Sequence, residues 1–211
     1  MRQHGLIWVV ITTLVFLIGP LVVSPKSYLA VVDAELNAAA QWYDDAEAER
    51  IERNATSLYH LLMVDTGVDP LIRKWLIRSP PDREVSPGMR MPGHMARWAD
   101  WFLNYWSGLL FNIWLFCLRL AHSGRWACYL MPFLAAIIFD GIMTRSAKLA
   151  SFRYTSPTLY NLSWHMIILI VCASLVYFSL SFRISLSYYP LMLTAIGMLM
   201  WLVIANVQHS A

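Results

Sequence analysis

From residue 101 to residue 211 the chain carries a single acidic side chain, Asp140, and six basic ones. Hydrophobic residues make up 58% of the whole sequence and charged residues only 14%, where a soluble domain averages roughly 25% charged. Twelve of the thirteen acidic residues lie between residues 25 and 100. This uneven distribution predicts an all-α integral membrane protein into which one polar region is inserted.

Five apolar runs are candidates for transmembrane helices, since about 20 residues cross the hydrocarbon core. They are residues 6–24, 99–120, 126–143, 164–182 and 188–207. The first is interpreted as an uncleaved anchor, because it is too long for a signal peptide and no small-x-small cleavage site follows it. The second is ambiguous, because polar side chains such as Asn104 and Arg119 dilute it. The sequence therefore predicts four or five transmembrane helices.

The predicted organisation has three parts: an anchor at residues 1–24, a polar and partly helical region at 25–98, and a cluster of transmembrane helices at 99–211. The polar region is thus a helical insertion between the first and second apolar segments. Apolar residues recur at helical spacing between residues 33 and 63, which predicts an extramembrane helix with one apolar face. That face must be covered by the rest of the chain, by the membrane surface or by another subunit.

Two further segments complete the polar region. Residues 69–78 place apolar side chains on one side of a helix and basic side chains on the others, and are interpreted as a short amphipathic helix that rests on a membrane surface. Residues 79–93 hold four prolines and two glycines and predict an extended linker.

The basic loop at residues 144–163, with Arg145, Lys148 and Arg153, is expected on the cytoplasmic side, because short cytoplasmic loops are enriched in Lys and Arg. Arg2 favours the same side for the amino terminus. Four spans satisfy both signals, whereas five spans satisfy only one of them. The side on which residues 25–98 lie stays open, with the periplasmic side favoured.

Asp140 raises the question of what neutralises a carboxylate among apolar residues, where a bare charge costs several kcal/mol. Thr144 and Lys148 follow on the same helix face, so Lys148 is expected to lie over Asp140. Arg145 is a second basic neighbour. Gly141 would allow another helix backbone to approach closely.

Ser156 and Pro157 predict a helix start, because serine caps free backbone donors and proline suits the first helical position. The helix that follows carries one polar stripe: Thr158, Asn161, His165 and Cys172. This stripe is expected to face inward, where His165 could meet Asp140 and Lys148. We interpret such a cluster as a structural clamp and keep a proton or ion relay, or a hydrolytic site, as the alternative.

Motifs that carry reaction chemistry are absent from the sequence: no HExxH, GxSxG or Walker A pattern occurs, and no cysteine pair has CxxC spacing. The net charge of +3 is scattered, whereas a nucleic-acid-binding surface needs a basic stripe on one face. The sequence therefore predicts a protein that is not an enzyme, that has no catalytic, cofactor-binding or metal-binding residues, and that makes no direct contact with nucleic acid.

Eight residues in the carboxyl-terminal half form a recognisable set: Asp140, Gly141, Arg145, Phe152, Ser156, Pro157, Tyr160 and His165. With the N-terminal span, the polar region and the clustered C-terminal spans, this segment resembles the membrane proteins of integrating conjugative elements, a family also found on large conjugative plasmids. The resemblance implies a multi-pass protein of the bacterial inner membrane that serves a conjugative DNA-transfer apparatus, a type IV secretion system.

Such proteins tend to be encoded beside the coupling protein, the ATPase that delivers DNA to the secretion channel. The resemblance therefore implies a scaffold or accessory that acts with the coupling ATPase or with channel subunits, and a homo-oligomer is compatible with it. The family has no assigned catalytic residues. Candidates for structural or partner contacts are Asp140, Gly141, Arg145, Lys148, Ser156, Pro157, Tyr160 and His165.

A small ion- or proton-conducting transport subunit that uses Asp140 and His165 is the alternative function. Against it, the sequence shows no inverted repeats and no pair of broken helices in matching positions, which transporters of this kind commonly have.

Overall fold

The computed structural model describes residues 2–68, 70, 71 and 93–207, and all regular structure within them is helical. This confirms the predicted all-α class. The helices are α1 (Arg2–Val22), α2 (Pro25–Trp42), α3 (Asp45–Tyr59) with a π-helical turn at His60–Val64, α4 (Gly93–Tyr129), α5 (Met131–Ala150), α6 (Pro157–Phe178) and α7 (Tyr188–Ala205). The predicted amphipathic helix at residues 69–78, except for residues 70 and 71, and nearly all of the linker at 79–93 lie outside the described residues.

Three helices are long and apolar enough to cross a membrane: Trp101–Tyr129 within α4, and the whole of α6 and α7. A fourth candidate is the pair formed by Ile7–Val22 and Pro25–Trp42, which is bent by 111° at the break between α1 and α2. The described residues therefore hold three such helices, or four if the bent pair is one span, against the four or five that the sequence predicts.

The span predicted at residues 126–143 is wrong as a single helix. α4 continues through Tyr129 and α5 begins at Met131, while Leu130 between them takes non-helical angles, with φ −86° and ψ 0°. Pro132 lies in the first turn of α5, where the missing backbone donor of proline is tolerated. α5 also carries three charged residues and is not among the helices apolar enough to span on their own.

The helix predicted over residues 33–63 is two helices, because Tyr43 and Asp44 take extended backbone angles. Asp45 and Glu47 lie in the first turn of α3, where carboxylates favour a new helix start. The predicted apolar face is real. Ile51 of α3 lies buried in one cluster with Leu118 of α4, so the rest of the chain covers this face.

The chain divides into two compact units. The first consists of Met1–Ala121 and Ser179–Arg183, and the second of His122–Phe178 and Ile184–Ala211. In the first unit, the outer end of α1 packs closely on α4. Pro20 is buried there, and a Cβ added at Gly108 would lie 3.2 Å from the Cβ of Pro20. The Tyr105 hydroxyl donates to the carbonyl of Leu17 at 3.1 Å.

In the second unit, two glycines let α5 and α7 approach each other. A Cβ at Gly197 would lie 2.9 Å from Cδ2 of Leu134, and a Cβ at Gly141 would lie 3.2 Å from the Cβ of Ile204. The close approach predicted at Gly141 is thereby confirmed. Residue numbers rise in the same direction along both helices at these contacts, so α5 and α7 run parallel.

Gly141→Leu should destabilise the second unit by about 1–3 kcal/mol, because its side chain would be forced against Ile204 and Trp201. Gly124→Leu is the matched control, since no atom lies within 4 Å of a Cβ at that position. The control should leave stability unchanged or raise it by up to about 1 kcal/mol through helix propensity. Unfolding midpoints in mixed micelles measure both effects, and equal midpoints for the two variants would contradict the packing described.

Candidate functional site

All the site residues predicted from the sequence lie in the second unit, on α5 and around the start of α6. Asp140 is exposed, and its Oδ2 accepts a hydrogen bond of 2.7 Å from Nε1 of Trp201 on α7. Neither Lys148 nor Arg145 forms an ion pair with it within the described chain, so the predicted neutralisation of Asp140 by these basic residues is wrong.

Lys148 instead binds the carboxyl end of α7. Its Nζ donates to the carbonyl of Ala205 at 3.1 Å and to Oδ1 of Asn206 at 3.0 Å. The last carbonyls of a helix have no partner inside the helix, and the helix dipole makes this end negative, which favours an ammonium group. The end of α7 therefore attracts Lys148 away from Asp140.

Asn206 joins three helix ends. Besides accepting from Lys148, its buried side chain accepts from the backbone N–H of Ser156 at 3.4 Å and donates to the carbonyl of Leu202 at 2.9 Å. It thus connects the end of α5, the start of α6 and the end of α7. The helix ends of this unit are thus joined through Asn206 and Lys148, and not through the predicted cluster of Asp140, Lys148 and His165.

The start of α6 agrees with the sequence. The Ser156 Oγ accepts from the backbone N–H of Leu159 at 3.3 Å, and Pro157 occupies the first helical position. This confirms the predicted cap. Tyr160 follows in the first turn and is half-buried.

Three of the four residues in the predicted polar stripe of α6, Thr158, Asn161 and His165, are exposed and not turned inward as predicted, and Cys172 is half-buried. His165 Nδ1 lies 2.7 Å from the carbonyl of Asn161 on its own helix, and both residues are exposed. A local bond to the preceding turn satisfies one ring nitrogen without any second helix. His165 therefore does not meet Asp140 or Lys148. Arg145 is half-buried on α5.

The first unit contains a buried ion pair that the sequence analysis did not predict. Arg119 of α4 is fully buried and Glu35 of α2 is 4% exposed. The Nη2 of Arg119 donates to Oε1 of Glu35 at 2.7 Å, and its Nε donates to the same carboxylate at 3.2 and 3.3 Å. This two-pronged geometry is the strong form of an arginine–carboxylate pair.

The remaining donors of Arg119 hold the segment that follows α6. Nη1 donates to the carbonyl of Leu180 at 2.6 Å, and Nη2 donates to the carbonyl of Phe182 at 2.7 Å. One guanidinium thus connects α2, α4 and residues 179–183. All three nitrogens of the Arg119 guanidinium group donate to the Glu35 carboxylate or to backbone carbonyls. The ion pair therefore stabilises the first unit.

Sequence reasoning treated Arg119 only as a residue that dilutes an apolar run. A usable signal was present, because an arginine inside an apolar helix requires a partner and Glu35 is the acid on the inner face of the polar helix. Nothing local links the two, since 84 positions separate them.

In the part of the chain that the structure describes, no group of three or more His, Cys, Asp or Glu side chains lies close enough together to hold a metal ion. The three cysteines are unpaired. The polar contacts described above are those of helix ends and of a buried ion pair.

A sequence model of the family described as IncC plasmid conjugative DNA transfer protein DtrJ-like matches residues 29–210. The chain belongs to the DtrJ-like family. The match spans Glu35, Arg119 and Asp140 together with Asn206, and it confirms the resemblance to a conjugative plasmid protein family. No curated protein and no solved structure matches the chain.

The Glu35–Arg119 pair should behave in this DtrJ-like protein as one unit. Arg119→Leu leaves a buried carboxylate without its cation and should cost about 3–5 kcal/mol of stability. In a double-mutant cycle with Glu35→Leu, the coupling between the two positions should reach at least about 1 kcal/mol. Chemical unfolding of the four proteins in detergent measures it.

The matched control is the ion pair between Glu49 and Arg53, one turn apart on α3 with side chains 65% and 63% exposed. Its coupling should be only about 0.3–0.5 kcal/mol, because water screens exposed pairs. If the coupling energy between Glu35 and Arg119 is no larger than that of the control pair, the buried contact contributes nothing specific to stability.

Proposed function

We propose that this DtrJ-like protein is a non-enzymatic scaffold of a conjugative DNA-transfer apparatus, held in the bacterial inner membrane and acting with the coupling ATPase of the type IV secretion system. Family membership supports the process, and three or four helices suited to a membrane support the location. The charges at Arg119 and Lys148 support a scaffold, because each is used to join helices.

The observation that carries the proposal is the loop between α5 and α6. Phe152 has a positive φ of 52°, and the residue is 98% exposed. It occupies the left-handed position that ends α5, with the N–H of Arg153 donating to the carbonyl of Lys148 at 2.9 Å. Glycine normally takes this position, because a side chain there costs roughly 1–2 kcal/mol.

Nothing inside the described chain uses the Phe152 ring, and Tyr154 close by is 80% exposed. A strained backbone that presents a bare aromatic ring suggests a contact outside the chain. Arg153 between the two rings adds a cation. By the positive-inside rule this basic loop faces the cytoplasm, the compartment in which a coupling ATPase hydrolyses ATP. We therefore assign the exposed aromatic loop, residues 151–155, as the contact with the ATPase.

The alternative of an ion- or proton-conducting subunit receives no support from the geometry. Asp140 hydrogen-bonds Trp201, and His165 bonds the preceding turn of its own helix. A relay needs groups within hydrogen-bond reach of one another or of shared water, and these two residues lie on separate helices without such a contact.

An affinity-tagged full-length chain, purified in mild detergent from cells that carry the conjugative plasmid, should co-purify with the coupling ATPase. The double variant Phe152→Ser/Tyr154→Ser should lower the recovered ATPase about tenfold, the loss expected when an aromatic anchor worth about 1.4 kcal/mol is removed. Quantitative mass spectrometry of the purified fraction measures the ratio of ATPase to chain.

Trp42→Ser is the matched control, since this aromatic side chain is also exposed but lies at the end of α2. It should leave the ratio unchanged. Absence of the ATPase from the unmodified preparation would overturn the proposed function, and an unchanged ratio in the double variant would overturn the assignment of the loop.

A further inference from the structure

A groove of about 470 Å³ lies beside Asp140, between α5 and α7. Its lining is apolar except for the one carboxylate: Phe133, Ile137, Asp140, Met198, Trp201 and Leu202. Phe139, next to Asp140 in the sequence, is 61% exposed, and Met198 of the lining is 62% exposed. The surface around Asp140 is therefore apolar apart from the carboxylate, as is typical of a surface that packs on hydrocarbon or on another helix.

Asp140 stands in the middle of α5, level with Trp201 on the parallel helix α7. α7 is apolar enough to cross a membrane, and Trp201 lies four residues before its last residue, Ala205, so Asp140 lies about one helical turn from the end of that apolar helix. A carboxylate beside apolar helices is costly unless a cation or several donors reach it. The described chain supplies one neutral donor, Trp201 Nε1, to one of its two oxygens.

The basic residues of the chain that lie nearest along the sequence are directed elsewhere. Lys148 is bound to the end of α7 through Ala205 and Asn206. Arg145 follows Asp140 by five positions, which places it about 140° round the helix from the carboxylate. The charge that balances Asp140 must therefore come from outside this part of the chain.

We propose that the groove binds a transmembrane helix of a partner protein that carries a lysine or arginine at the level of Asp140. The apolar walls formed by Phe133, Ile137 and Met198 would receive the body of the helix, and the cation would pair with the free oxygen of Asp140. This inference rests on the proposed scaffold function and names the chemistry of one partner surface.

A second copy of this chain is the wrong occupant. Copies related by closed symmetry in a membrane share one orientation, so equal residues lie at equal depth. A symmetric contact at this groove would bring two Asp140 carboxylates to the same level, where they repel. A lipid chain would fill the apolar walls but would leave the carboxylate without a cation.

The test uses the purified full-length chain in neutral phosphatidylcholine vesicles with synthetic transmembrane peptides. The host peptide is a leucine–alanine helix of about 24 residues, long enough to span with some tilt, with a single position about one turn inside one end occupied by arginine, leucine or glutamate, to match the level of Asp140. Association is measured by energy transfer between labelled peptide and labelled chain. The arginine peptide should bind about tenfold more tightly than the leucine peptide, the effect of about 1.4 kcal/mol, and the glutamate peptide should bind no better than leucine.

Asp140→Asn should reduce the preference for arginine to less than about twofold without loss of fold, and Asp140→Glu should retain it. Met198→Trp should weaken all three peptides by filling the groove while the charge stays in place. Leu191→Trp, an equally exposed position on α7 outside the groove lining, is the control and should change nothing.

Equal binding of the arginine and leucine peptides, or an arginine preference that survives Asp140→Asn, would overturn the proposal. Differently labelled copies of the chain provide a second check. If energy transfer occurs between them and is lost in Met198→Trp, the groove binds a second copy and the proposal is overturned. Because no ATPase is present in the vesicles, these outcomes are separate from the co-purification that tests the proposed function.

Discussion

A charge placed among apolar helices must be balanced by a partner, because hydrocarbon offers neither water nor counterions. The structure meets this constraint at Arg119, whose donors are shared between the Glu35 carboxylate and the carbonyls of Leu180 and Phe182. α2, α4 and residues 179–183 are held together by that one group. The same constraint acts on Lys148, which finds its acceptors at the end of α7.

Within the described residues, Asp140 has no cationic partner. Its carboxylate accepts one hydrogen bond from the neutral indole of Trp201, and an apolar groove opens beside it. The aromatic loop after α5 shows a related pattern, since Phe152 has a positive φ and is 98% exposed. These two features are the basis for the partner contacts proposed above.

Local features of the fold could be predicted from the sequence. The helices at α6 and α7, the cap at Ser156 and the close approach at Gly141 each depend on residues within one helix or on residue size, so composition and spacing were enough. Pro132 indicates a kink in the run at residues 126–143, but not the full break at Leu130, because apolar residues continue on both sides of it. The break at Tyr43 was missed because the apolar stripe runs through both helices.

Long-range polar contacts could not be predicted in the same way. The partner of Asp140 is 61 positions away and that of Arg119 is 84 positions away, whereas the basic residues close in sequence were the expected partners. Spacing along one helix places Lys148 on the side of Asp140, but it does not show that the end of another helix competes for the ammonium group. Only the arrangement of helices in space decides between the two acceptors.

We infer that Arg119 stabilises the fold and that Asp140 binds a partner. The two roles are separated by comparing DNA-transfer frequency with the amount of folded chain in the membrane, for Asp140→Asn and Arg119→Leu expressed from the conjugative plasmid. Asp140→Asn should lower transfer at an unchanged amount of chain, whereas Arg119→Leu should lower both together. Normal transfer with Asp140→Asn, or a loss of chain that fully explains its defect, would show that Asp140 has no such role.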